Sequence, residues 1–320
     1  MLHDDQDMNE LEAPPPVVVV GIDGSKHAIG AAIWAIDEAM RRDTALRLLH
    51  VMPADADRDF ARARRVLHRA WAAVESTGLP VRLESDIRVG DVVATLVDAS
   101  RSAAMICVGS RGVGRRKRQA APGHRRGTTA AGLAQGALCP VAIIRRRHAD
   151  TPPNDRKWVV AALDDSPGSS TALQTAMEEA HRRRAPVLVL TPWNSSAGPD
   201  LPESQRQLRA HLESYIHDAE LDNAEFAMCT LPRPKEISNM LAQSAGIDQL
   251  LVIGPDDPEL IAEMVSPKVR AILHKTNCSV LIMRNRADVP QSAAAITTTT
   301  GSLVPNGQGV SPMLASSSGQ

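Results

Sequence analysis

Arginine and lysine crowd one short stretch of this sequence. Arg115, Arg116, Lys117, Arg118, Arg125 and Arg126 make up six of the twelve residues from 115 to 126. Side chains of that type at that density can clamp phosphates or dock on an acidic partner. The same residues serve equally as a solvated loop, which suits the glycine, alanine and proline among them. Gly109 and Gly112 precede the cluster, and Gly127, Thr128 and Thr129 follow it. Glycine allows a backbone to come close to a ligand, and amide N–H groups near a helix start favour negative charge. Two acids, Asp23 in VVVVGIDGS and Asp164 in WVVAALDDS, each follow a short apolar run. A carboxylate there caps the next helix or orders the turn.

Residues for bond-breaking chemistry are missing. The ten histidines form no HxH or HxxxH pair, and no carboxylate pair is spaced for acid–base work. Ser25 stands where a DxD phosphatase needs its second acid, the acidic pair and lysine of a receiver domain are not found, and no GxxxxGK[ST] element occurs. Cys107, Cys139, Cys229 and Cys278 are scattered in apolar surroundings without a CxxC pair, as core residues of a reduced, cytoplasmic protein would be. The expectation is a binding protein with no catalytic residue and no metal.

Elements that could position these residues come in two copies. Asp23 and Ser25 match Asp164 and Ser166 at an offset of 141. Each pair leads into a helix-like stretch, AIGAAIWAIDEAMRR or STALQTAMEEAHRRR, with apolar residues at three- and four-residue spacing, as at Ile29, Ile33, Ile36 and Met40. LRLLHVMP matches VLVLTPW, AAMICVGS matches QLLVIGPD, and CPVAII matches CSVLIM. Such short runs, apolar throughout, are strands buried on both faces of a parallel sheet. Alternating with helices, they predict two tandem doubly wound α/β domains of five parallel strands each, with ligands beyond the strands' C-terminal ends.

Boundaries follow from composition. Residues 1–16 form a mobile acidic head, 17–147 the first domain, 148–157 a polar, proline-bearing linker, 158–284 the second domain and 285–320 a disordered tail. The apolar last strands CPVAII and CSVLIM are the natural edges through which the halves pack as an intramolecular pseudo-dimer, and homodimerisation stays open. A single continuous sheet over one shared core would count against two separate layers. With 36 basic and 37 acidic residues the net charge is -1, which points to neither nucleic acid nor membrane as partner. The longest apolar run, Val17–Val20, is far short of a membrane span, and the head lacks the features of a secretory signal.

VVVGIDGS, LLHVMP, RVGDVVATLVDAS, VGSRGVG and CPVAII, in that order and at these separations, resemble the universal stress protein family, over residues 17–147 and more weakly 158–284. The resemblance implies a Rossmann-like fold, a role in stress response and ATP or a related adenine nucleotide as ligand. Its binding residues would be Asp23 near base and ribose, Val51, and Gly109, Gly112, Gly127, Thr128 and Thr129 at the phosphates. The family's G-x2-G-x9-G-(S/T) is departed from here: Pro122 falls at the third glycine position, so the pair Gly127-Thr128 comes five residues late. In the second half Gly254 remains, but Asp257 replaces the second glycine and Ser266-Pro267 the glycine-hydroxyl pair. With Asp256 adding a second negative charge, that site is expected to be degenerate. The functional expectation is a nucleotide-binding regulator acting through an unidentified protein partner. The alternative is a scaffold of the same fold that binds no nucleotide.

Overall fold

A run such as Val17–Val20, β-branched and fully apolar, has no face to offer to water and forms a strand only where both sides are covered. The computed structural model describes residues 15–53, 59–112, 129–145, 157–163, 168–191, 206, 210, 226–230, 234–244, 247–254, 258–273 and 276–284. The first half runs β1 (Val17–Gly21), α1 (Lys26–Arg41), β2 (Leu46–Met52), α2 (Phe60–Glu75), β3 (Leu83–Val89), α3 (Val92–Ala99), β4 (Ala103–Gly109), α4 (Thr129–Gly136) and β5 (Val141–Ile144). The second half runs β6 (Lys157–Ala162), α5 (Gly168–Arg183), β7 (Val187–Thr191), β8 (Phe226–Thr230), α6 (Pro234–Gln243), β9 (Asp248–Ile253), α7 (Pro258–Met264), α8 (Pro267–Leu273) and β10 (Asn277–Ile282).

The strand order is β3-β2-β1-β4-β5-β10-β9-β6-β7-β8. Each half is therefore a five-stranded parallel layer of the same topology, and the duplication stands. The two layers do not remain separate. β5 pairs antiparallel with β10, with Ala142 opposite Leu281, and makes one ten-stranded sheet. Both core layers cross this seam: α1, α2 and α5 cover one face, and α3, α4, α6, α7 and α8 the other. The expectation of separate cores fails because the edges that pair are themselves fully buried, so a gap between the layers would expose them. Two boundaries also move: Lys157 opens β6 rather than closing the linker, and Pro16 is held by a hydrogen bond from the Thr44 hydroxyl to its carbonyl at 2.6 Å. The rest of the linker, the head through residue 14 and the tail from 285 lie outside the described residues.

Helix α1 shows how the layers meet. Its sheet-facing residues are Ala28, Ala31, Ala32, Ala35, Ile36 and Ala39, while Ile33 and Met40 face outwards, 43% and 40% exposed. The expected stripe of large apolar residues is thus mostly alanine, which lets the helix lie close on the strands. Its end is duplicated too: Asp43 (φ 47°) and Arg184 (φ 51°) take the left-handed turn after α1 and α5.

Where α1 and α5 meet across the seam, the repeat produces an ionic cluster. Glu38 and Glu179, 141 apart, have fully buried side chains. Arg41 bridges its own Glu38 and reaches Glu179 at 3.2 Å; Arg182 bridges its own Glu179 and reaches Glu38 at 3.2 Å. Arg42 binds Glu38, and Arg183 binds Glu179 at 3.0 Å while lying over the Trp34 ring. Burial pushes the Glu38 carboxyl up, but Arg42, Arg41 and Arg182 outweigh it and hold it below its ordinary value. Burial likewise raises the thiols of Cys107 and Cys278, the latter to about 12, so these core cysteines stay protonated.

Replacing Glu38 by Gln is expected to cost about 1–3 kcal/mol at neutral pH, since hydrogen bonds to three guanidinium groups are weakened together. A carboxyl whose folded pKa is depressed stabilises above its unfolded pKa and ceases to do so as pH falls through the folded one. The gap between parent and Glu38→Gln should therefore close below about pH 4.5, the ordinary value for this group. Urea denaturation across pH 3 to 7 measures it; a pH-independent gap would show that the charge is not what stabilises.

Candidate functional site

In the first half the chain turns to opposite sides of β1 towards β2 and β4, so the C-terminal ends of β1 and β4 flank a switch-point crevice. Asp23 stands just beyond β1. Its Oδ1 accepts from the Ser25 N–H at 2.9 Å, and its Oδ2 faces Gly112, where a Cβ would come within 2.6 Å of it. A side chain at 112 would have to push the end of this carboxylate aside. Ser25 closes the same corner: its Oγ accepts from the Ala28 N–H at 3.0 Å, capping α1, and donates to the Arg111 carbonyl at 3.1 Å. Gly24 takes φ 86°, the left-handed turn that starts the helix.

Gly109 has a different reason to be glycine. A Cβ there would lie 2.6 Å from the His27 carbonyl carbon and 2.8 Å from the Ala28 nitrogen, so β4 runs directly against the first turn of α1. Val51 lies near the end of β2, mostly buried. His50, beside it, places Nδ1 2.6 Å from the Ile22 carbonyl and so fixes the strand end that carries Asp23. Sequence reading missed His50, although a polar residue inside LLHVMP was the available signal. Thr129 opens α4, while Gly127, Thr128 and the basic stretch 115–126 lie outside the described residues. The structure thus brings Asp23, Gly109 and Gly112 to one corner, with Val51 on the neighbouring strand.

The second half builds this corner otherwise. Gly168 takes the position of His27, and a Cβ on Gly254 would meet only ordinary contacts, the nearest 3.7 Å away on Gly168. Ser266 spends its hydroxyl oxygen on the Val269 N–H at the start of α8, and α7 buries Leu260, Ile261 and Met264. Asp164, Ser166, Asp256 and Asp257 lie outside the described residues.

Comparison with known proteins decides what this architecture is. The model of the Universal stress protein family matches residues 16–145 and 156–284, both halves in full. The chain belongs to the universal stress protein family. It is 37% identical to universal stress protein Rv2624c of Mycobacterium tuberculosis over 83% of this chain and 96% of that one. It is 34% identical to universal stress protein Rv2028c of the same organism, over 86% and 98%. The crystal structure of a universal stress protein from Archaeoglobus fulgidus matches with a TM-score of 0.59 at 16% identity, covering 84% of this chain and 96% of that one. These relatives of the universal stress protein described here align over both halves, so the tandem arrangement is shared.

Since a Cβ at 109 would meet backbone rather than a movable side chain, Gly109→Ala should destabilise the protein by about 1–3 kcal/mol. Gly254→Ala, with room for its methyl, should stay within about 0.5 kcal/mol of the parent. Equal losses in thermal or urea unfolding would mean the two glycines are kept for the same reason.

Proposed function

We propose that this universal stress protein binds an adenine nucleotide, ATP or a close relative, in the first half only. On this reading occupancy changes contacts with a protein partner in the cytoplasm, without catalysis. The observation that carries the reading is the approach of Gly112 to Asp23 at the β1/β4 switch point. A bare backbone stands there beside a carboxylate able to accept from ribose hydroxyls, and the family's phosphate stretch continues from Gly112 towards α4. The second half supports the asymmetry, because Ser266 is already engaged as a cap and Gly254 is not pressed by its surroundings. Among the described residues no helix is long and apolar enough to cross a membrane.

A second reading, a scaffold that binds no nucleotide, is favoured by one fact. Gly109 and Asp23 both have internal duties, the first against His27 and the second on the Ser25 N–H, so each is explained without a ligand.

Calorimetric titration of the intact protein with ATP separates the two. Nucleotide binding predicts that Gly112→Val, whose side chain would be driven into Asp23, abolishes the heat of binding while Gly254→Val leaves affinity unchanged. Replacing Arg115, Arg116, Lys117 and Arg118 with Ala should change affinity less than about tenfold, since solvated charges are screened within about 8 Å. A parent protein that binds no ATP, and releases no nucleotide when denatured and analysed by mass spectrometry, would establish the scaffold.

A further inference from the structure

One end of the sheet carries features that neither the fold nor the switch-point corner uses. β3 is the terminal strand, and among the described residues nothing pairs with its outer edge. The Leu46 N–H bonds to the Arg82 carbonyl and the Gly90 N–H to the Met52 carbonyl, so the even-numbered residues of this segment face β2. Leu83, Ser85, Ile87 and Val89 therefore direct their N–H and C=O groups outwards. A cleft of about 530 Å³ opens at this edge, away from the β1/β4 corner. Ser85 and Ile87 line it from β3, and Arg64, His68, Trp71 and Glu75 from one stripe of α2.

Three observations at this edge agree on what would fill it. Unpaired strand groups call for an extended chain, because only a strand satisfies them in series. The charge along the helix is mostly basic: Arg62, Arg64, Arg65, His68 and Arg69 are all exposed along α2, with Arg82 exposed ahead of β3. Of the nearby acids, Glu75 and Asp86 line the cleft themselves; Asp86 is held by Arg88 at 2.9 Å, Glu84 by Arg47 at 2.9 Å, and Asp59 caps α2 with Arg65 at 3.9 Å. Finally, the exposed large apolar residues Phe60, Leu79 and Val89 flank this helix and strand. A solvated basic helix alone would need none of these neighbours.

We propose that the β3 edge and the basic face of α2 form a docking surface for an extended, acidic peptide segment of a partner protein. The segment adds as a further strand outside β3, bonding to Ser85 and Ile87. On the α2 face its carboxylates lie towards Arg64 and Arg65, and its alternate, apolar side chains point to the opposite face of the sheet. The surface is separate from the switch-point corner, so the proposal stands or falls independently of nucleotide binding.

The test uses the intact, nucleotide-free protein and a fluorescein-labelled decapeptide of alternating glutamate and valine, with its lysine–valine analogue as control. Fluorescence anisotropy should show binding of the acidic peptide that weakens with salt, and none of the basic one. Arg64→Glu combined with Arg65→Glu, both exposed positions, should weaken binding by about tenfold or more at unchanged thermal stability. Amide exchange at Ser85 and Ile87 should slow by about tenfold or more on addition of the peptide, a change that diffuse charge attraction would not produce. The proposal is overturned if the peptide fails to bind, if the charge reversal leaves affinity intact, if both amides exchange as before, or if a DNA duplex displaces the peptide and binds more tightly.

Discussion

Everything in this molecule hangs on two apolar strand edges that cannot be left in water. β5 and β10 are buried along their whole length, and their antiparallel pairing is the one place where two parallel layers join. Open edges of this kind invite association with other chains, so a protein that carries two of them in one polypeptide closes each with the other. β5 and β10 thereby become interior strands, and helices from both halves share core on each face. The duplicated glutamates and arginines of α1 and α5 then lie across the seam. Burying the two carboxylates is unfavourable unless each finds an opposite charge, and the near two-fold relation between halves supplies those partners twice over.

The seam and the switch-point corner illustrate opposite fates of repeated residues. Glu38 and Arg41 keep their counterparts Glu179 and Arg182, because each copy completes the other across the junction. At the strand ends no such mutual need exists. The close approach of strand to helix does not recur: a Cβ at Gly109 would lie 2.6 Å from the backbone of α1, whereas one at Gly254 would lie 3.7 Å from Gly168.

Much of this was legible in the residues. Short runs of Val, Ile and Leu placed the strands, and the 141-residue offset placed the repeat, because burial on both faces leaves little choice of side chain. The strand-five pairing followed from edges too apolar to expose. What the pattern could not show was depth: alternation at three and four residues marks a helix, but alanine and isoleucine score alike in it, and only packing reveals that Ile33 and Met40 turn outwards. Asp23 and Gly112 stood out by type and spacing, and the structure brings them to one corner. The carbonyl that His50 holds and the helix that Ser266 caps depend on strand register and loop path, which no local pattern carries.

The antiparallel seam also gives the molecule two ends. Because every strand of a half runs with its own fifth strand, the C-terminal edges of the two layers point in opposite directions along the sheet. The corner beside Asp23 and the corresponding one near Gly254 therefore open at opposite edges of the sheet and cannot share one small ligand. Any influence of one corner on the other must pass through the ten-stranded sheet and its helices rather than through a common cavity.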